Sequence, residues 1–156
     1  MNLAESTRHA VRELLRQQQL GVLSTVGGDA PYANLVAFTV SADDGHLFFV
    51  TPRATRKFAN ISANTRVALL VNNSMNRPED FHKAAAVTAI GAASPVAASQ
   101  REAVRKDYLT RHPYLTAFVD SPSSELVDIR VARYILVERF QNVTEYRIDH
   151  DMDRTP

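Results

Sequence analysis

Residues 21–57 read GVLSTVGGDAPYANLVAFTVSADDGHLFFVTPRATRK. Apolar runs at Leu20–Val26, Tyr32–Val40 and Leu47–Val50 are separated by Gly27-Gly28-Asp29 and Asp43-Asp44-Gly45. Both separators are turn chemistry, since Gly takes positive φ freely and Asp can hydrogen-bond its own backbone. Short runs joined this tightly predict an antiparallel meander, because parallel strands would need a helix between them. The middle run is apolar on both parities. Its outer face therefore calls for cover by a helix or a second subunit.

Upstream, residues 3–20 are predicted helical, with Asn2 as cap and Glu5 as capping-box partner. Leu3, Ala10, Val11, Leu14 and Leu15 make one apolar face. Downstream, a short helix runs to about Ala63 and a fourth strand spans Val67–Val71. Residues 72–83 read as a polar loop. Ala84–Val96 is a long strand with Gly91 as a bulge or close-approach point. Ser99 is expected to cap a helix to about Arg111, ended by Pro113, with a helical turn over Tyr114–Val119. Glu125–Phe140 reads as a strand with Val127, Ile129, Val131, Ile135 and Val137 on one face, and Asn142–Ile148 as the last strand. The fold class is mainly β: a small antiparallel, Greek-key-like barrel with an N-terminal helix and a helical insertion near 99–119. We expect one domain over 1–156 with a frayed tail at 149–156.

Composition narrows the function. The 156 residues carry 18 Lys+Arg and 17 Asp+Glu, a net charge of +1, which gives no support to nucleic-acid or membrane-surface binding. Cysteine is absent, which removes disulfides, thiolate metal sites and a Cys nucleophile, and fits a cytoplasmic setting. No apolar run approaches the roughly 18 residues of a membrane span, and no signal-peptide pattern is visible. Glycines at 21, 27, 28, 45 and 91 cannot spell a Rossmann or P-loop signature. Histidines 9, 46, 82, 112 and 150 are scattered, so no metal site is expected. Residues 149–153 imitate the start of a calcium loop but lack its later ligands.

The chemistry-bearing segment is Thr51-Pro52-Arg53-Ala54-Thr55-Arg56-Lys57, at a predicted strand-to-helix junction. Free N–H groups and the helix dipole favour an anion there, and Arg and Lys complement a phosphate. The residues alone also allow a solvated basic turn capped by Thr55. Asn72, Asn73 and Arg77 read equally as a pocket lining or a plain loop.

The ordered set FFVTPRATRK, a short helix, and then Asn64-Thr65-Arg66-Val67-Ala68-Leu69-Leu70 resembles the pyridoxamine 5′-phosphate oxidase-like family of FMN-binding split barrels. The resemblance covers residues 20–97 and extends more faintly through 125–147. It implies a homodimer with FMN at the subunit interface. Carried over by position, Thr55, Arg56 and Lys57 would hold the FMN phosphate, with Thr51 nearby and Arg53 as a supplementary charge. Asn34, Val36 and Ala37 would pass beside the flavin ring; Asn72 and Asn73, on their own polarity, are counted with them as candidate cofactor-binding residues. The oxidase itself carries Arg where Asn34 stands and Lys where Thr39 stands. Its C-terminal substrate motif is not visible here. Tyr108–Pro113 and Val137–Gln141 are similar to the haem-utilisation branch. The resemblance thus implies a flavin-dependent oxidoreductase of unassigned small-molecule substrate, with no catalytic residue singled out. The alternatives are a non-catalytic flavin- or haem-binding storage or sensor protein, with His46, His82 or His112 as iron ligand, and a deazaflavin-dependent reductase.

Overall fold

The computed structural model describes residues 2–150. Helix α1 (Leu3–Gln17) starts at the expected capping box. Asn2 Oδ1 accepts from the Glu5 N–H at 2.9 Å, and Glu5 Oε2 accepts from the Asn2 N–H at 3.0 Å. Then come β1 (Leu20–Gly27), β2 (Ala30–Val40), β3 (His46–Pro52), α2 (Arg56–Ala63) and β4 (Arg66–Asn72). A four-residue helix, α3 (Asp80–Lys83), interrupts the stretch expected to be loop. The order continues with β5 (Ala85–Pro95), α4 (Arg101–Arg111), a 3₁₀ turn (Pro113–Leu115), α5 (Thr116–Val119), β6 (Ser124–Glu138) and β7 (Asn142–Arg147). Of the expected tail, Asp149 and His150 are described, and residues 151–156 lie outside the described residues.

The sheet order is β3-β2-β1-β4-β5-β6-β7, all pairs antiparallel, and β3 also pairs with β6. That pairing closes six strands into a barrel and leaves β7 appended to β6. Closure is incomplete between β2 and β3, which pair only through Phe38, Thr39 and Val40. Residues 30–37 of β2 keep β1 on one side and have no strand on the other. Helix α4 covers the upper part of this split. Tyr108 Oη donates to Ala37 O at 3.1 Å, and His112 Nε2 lies 2.7 Å from Phe38 O. Arg111 ties α4 to α1, donating to the carbonyls of Leu15 at 2.8 Å, Arg16 at 3.2 Å and Gln18.

The barrel interior is filled by Leu23, Phe38, Leu47, Phe49, Leu69, Val87 and Ile129, with α1 closing one end through Val11, Leu14 and Leu15. Cores this dense lose about 3–5 kcal/mol for a Phe→Ala change. A smaller cluster, Val50, Val96, Val104, Tyr108, Val119 and Leu126, packs α4 and α5 against β3 and β6. The β2–β3 turn is locked to α1 by an ion pair. Asp44, at φ 64°, is buried, and Arg12 donates to its carboxylate from Nε at 3.0 Å and Nη2 at 2.5 Å.

Two expectations need correction. Ser99 does not cap α4, which begins after Gln100 without a side-chain cap bond. Nor does β6 keep one face inward. Its register against β5 slips between Ile90 and Gly91, which face Arg133 and Val131, so Ala132 is the extra residue. Val127, Ile129 and Val131 are buried before the slip, and Tyr134 and Leu136 after it, while Ile135 and Val137 turn outward. A bulge shifts the period-2 alternation by one, which a parity count along the sequence does not register.

Gly91 permits this bulge. A Cβ there would stand 2.2 Å from Arg130 O, a backbone atom that cannot step aside. Gly91→Ala should therefore lower unfolding stability by about 1–3 kcal/mol or more, read from urea denaturation. An alanine variant matching the parent would show that the two backbones can part without loss.

Candidate functional site

The β3–α2 junction assembles the basic segment on the open side of the split. Thr55 caps α2, its Oγ1 accepting from the Phe58 N–H at 3.3 Å and donating to Pro52 O at 2.9 Å. The Thr51 hydroxyl is fully buried and stands 2.9 Å from that of Thr55. These contacts set the first turn of α2, where backbone donors lack intrahelical partners. Asn60, on the buried side of α2, donates to Thr25 Oγ1 at 2.9 Å and fixes the helix to β1. Gly27 leaves room for it, since a Cβ would meet Asn60 Oδ1 at 2.8 Å.

Arg56 and Lys57 lead off this helix. The Arg56 guanidinium lies 5.6 Å from the centroid of the Tyr32 ring, so it leans across the helix start toward β2. Lys57 is half-buried, and burial holds its ammonium below the ordinary lysine value. Neither forms an ion pair among the described residues. Two residues along β2 from Tyr32, and on the same side of the strand, Asn34 carries a buried Oδ1 with no hydrogen-bond partner. A buried, unpartnered amide oxygen is costly unless something donates to it. Arg56 and Tyr32 thus meet where β2 has no neighbouring strand, with Lys57 beside Arg56 and the orphaned Asn34 amide two residues along the strand.

Not every residue singled out in the sequence is gathered there. Arg53 turns to β6 instead, donating to Ser124 O at 3.1 Å, to Pro122 O and to Glu125 Oε2 at 3.3 Å. Asn72 and Asn73 sit at the far end of β4, whose near end follows α2. Asn73 Oδ1 accepts from the Ala85 N–H at 2.8 Å, and Asn72 Oδ1 accepts from the Ser74 N–H at 3.0 Å. Arg77 lies in the same distant loop, its N–H donating to Asp80 Oδ2 at 3.1 Å. Val36 points into the core. The Ala37 carbonyl is engaged by Tyr108. Tyr32 is the member of the cluster that the sequence reading did not single out for the site. Its parity with Asn34 on β2 was the available signal.

The histidines considered as iron ligands are otherwise engaged or remote. His46 Nδ1 is 2.9 and 3.1 Å from the two oxygens of Asp128, and His82 is exposed on α3. His112 is buried against Phe38 O. Among the described residues, no group of three or more His, Cys, Asp or Glu could hold a metal ion. No helix of these residues is long and apolar enough to cross a membrane.

The chain is an antiparallel split barrel with a cationic strand-to-helix junction beside its open strand. The family model for pyridoxamine 5′-phosphate oxidase matches residues 7–138, and the chain belongs to that family. No curated protein matches it. Among solved structures, it is similar to a haem-binding protein from Mycobacterium smegmatis (TM-score 0.78, 16% identity), covering 87% of this chain and 55% of that one. It thus spans about half the length of that relative. It is also similar to general stress protein 26 from Bacillus anthracis (TM-score 0.68, 22% identity, 91% and 98% covered). A third likeness is to a FAD-binding protein from Mesorhizobium loti (TM-score 0.64, 18% identity, 83% and 90% covered). These likenesses establish the shared fold.

The two engaged histidines give a pH prediction of opposite signs. His46 is held above the ordinary imidazole value, chiefly by its hydrogen bond to Asp128 against the effect of burial, with Asp43 raising it and Arg130 lowering it. The ring of His150 also meets it edge-on. The His46 contribution is complete below the unfolded-state value and is lost as pH rises through the folded-state value. His112 is held below the ordinary value, chiefly by burial, with Arg111 adding to the depression and the bond to Phe38 O opposing it. Its contribution is complete above the unfolded-state value and is lost as pH falls through the folded-state value. His46→Gln should cost more stability at about pH 5.5 than at about pH 8.5, and His112→Gln the reverse. Denaturation at both pH values checks this, and a pH-independent cost for either variant would contradict it.

Proposed function

We propose that this protein binds FMN at the interface of a homodimer and acts as a flavin-dependent oxidoreductase on a small molecule. The observation that carries the proposal is the pair Arg56 and Lys57, cations at the start of α2 that no acid among the described residues neutralises. A phosphate at a helix start meets free N–H donors, a favourable dipole and these two side chains together. The orphaned Asn34 amide supports a ligand reaching along β2 from the same point. Tyr32 positions Arg56 over that path. Flavin, when bound, supplies the electron chemistry, and the chain supplies binding, orientation and the polarity around the ring. Flavin is favoured over haem because Arg56, Lys57 and Asn34 suit a phosphate and a polar ring edge. His112, for its part, is committed to Phe38 O.

The dimer is supported by the outer face of the sheet. Register places Leu35, Val22, Leu70, Thr88 and Ile135 side by side across β2, β1, β4, β5 and β6. Leu35 remains 61% exposed, so no helix among the described residues covers it. A row of this breadth is more than a lone soluble barrel ordinarily leaves in water. A two-fold partner would bury it against itself. It would also offer the distant Asn72 and Asn73 a second way to approach a cofactor.

Arg56→Ala combined with Lys57→Ala should leave the fold intact, because both side chains project from the start of a surface helix. Charge-assisted hydrogen bonds contribute roughly 1.5–3 kcal/mol each, so the pair should cost about 3–6 kcal/mol, or roughly 100- to 10,000-fold in Kd. Titration by flavin fluorescence measures it, with circular dichroism as the fold control. A folded variant binding within about threefold of the parent would overturn the phosphate assignment. Riboflavin, which lacks the phosphate, should stabilise the parent against heat much less than FMN does.

Leu35→Glu should convert a sedimenting dimer into a folded monomer. A parent that already sediments at 17.3 kDa would overturn the dimer.

A further inference from the structure

The outer side of β3 carries a concavity that the flavin site does not use. A cavity of 480 Å³ lies between α4 and the end of β2, walled by Val40, Phe48, Ala103 and Val104. A second, of 420 Å³, shares Ser41, Ala42, Phe48 and Gln100 with it and adds Asp43 and His46. A third, of 550 Å³, shares Asp43 and His46 and extends to Arg8, Arg130 and Arg147. Shared walls make these one trough, apolar at the α4 end and basic at the other. Its floor at the crossing is a pair of stacked rings. His46 and Phe48 lie 6.1 Å apart between centroids and 7° from parallel.

The α4 half is mostly apolar, with Asp107 as its one charged wall residue, and the opposite half is provided with donors. Arg130 stands directly across from His46 in the β3–β6 register and has no ion-pair partner among the described residues. Arg8 reaches Asp44 only at 3.6 Å, and Arg147 holds Glu145 at 3.0 Å. The acids bordering this half are Asp43 and Asp149. The Asp43 carboxylate is already engaged by the Ser41 hydroxyl and by the Gly45 N–H at 2.9 Å. Asp128 holds His46 Nδ1 and so fixes the plane of the ring.

We infer that this trough binds a small amphipathic organic acid. A flat apolar body lies over Phe48 and His46 and extends toward α4, where ring stacking and apolar burial hold it. Its carboxylate meets Arg130, with Arg8 and Arg147 alongside, because a guanidinium fork matches a carboxylate. The trough is separate from the proposed flavin site, since its basic end is at the His46 end of β3 and α2 follows the Pro52 end. At about 3.3 Å per residue the two lie on the order of 20 Å apart along the strand.

The test uses the full chain, with and without saturating FMN, titrated with 2-naphthoate and with neutral 2-naphthalenemethanol by calorimetry and NMR. The acid should bind at one site with the same affinity in both states. The neutral alcohol should bind about tenfold more weakly. Arg130→Gln, at an exposed position, should abolish the preference for the acid while leaving the alcohol unchanged. Phe48→Ala should weaken both, with circular dichroism confirming the fold. The inference is overturned by absence of saturable binding of the acid, by equal affinity for the two compounds, or by an Arg130→Gln variant that keeps the preference. Competition with FMN would also overturn it, by placing the acid in the flavin site. Failure of FMN itself to bind would count only against the flavin proposal.

Discussion

The contact between Gly91 and the backbone of Arg130 sets the geometry of the barrel. Strand β6 must serve β3 near its start, β5 along most of its length and β7 near its end. A strand with strict alternation could not present one continuous face to an interior that turns away beneath it. The slip at Gly91 moves the inward set from Val127, Ile129 and Val131 to Tyr134 and Leu136. The change of face puts Ile135 on the outer surface, beside Thr88 and Leu70. The bulge that closes the barrel therefore also completes the outward row that runs from Leu35 to Ile135. Only a residue without Cβ allows the two backbones to come so close.

Arginine does two kinds of work in this chain. Arg12, Arg53 and Arg111 are clamps: each joins elements distant in sequence through carboxylates or backbone carbonyls. Such donors satisfy acceptors that burial would otherwise leave costly, and their planar forks fix direction as well as distance. Arg56 and Arg130 are different. Neither has an acid to answer it among the described residues; Arg56 lies over the Tyr32 ring, and Arg130 stands across from His46 at the wall of a cavity. The distinction lies in the neighbours, because the side chains are identical.

Much of the fold was legible in the residues. Gly28 takes the positive φ its turn required, and the first hairpin closes with a two-residue connection. Asn2 and Glu5 form their capping box. Residue chemistry acts over three or four positions in these cases, so the sequence carries the whole cause. The failures are equally physical. Ser99 has the right chemistry for a cap, but the helix starts at Arg101, because tertiary packing of Val104 and Tyr108 outweighs the small gain of a cap. Of the residues joined by the family resemblance, Thr51, Thr55, Arg56 and Lys57 sit together at the β3–α2 junction, while Arg53 is drawn off by carbonyls some 70 positions away. Nothing local to Arg53 encodes that.

The amino-acid sequence by itself determined the antiparallel meander, the helix starts governed by short-range capping, and the place of the basic junction, because each depends on neighbours a few positions apart. The tertiary structure decided where the barrel splits, which side of β6 faces inward and which cations remain unpaired. It also joined three recesses into the trough across β3. Those depend on backbone approaches and ion pairs between residues far apart in the chain, whose partners exist only once the strands have closed.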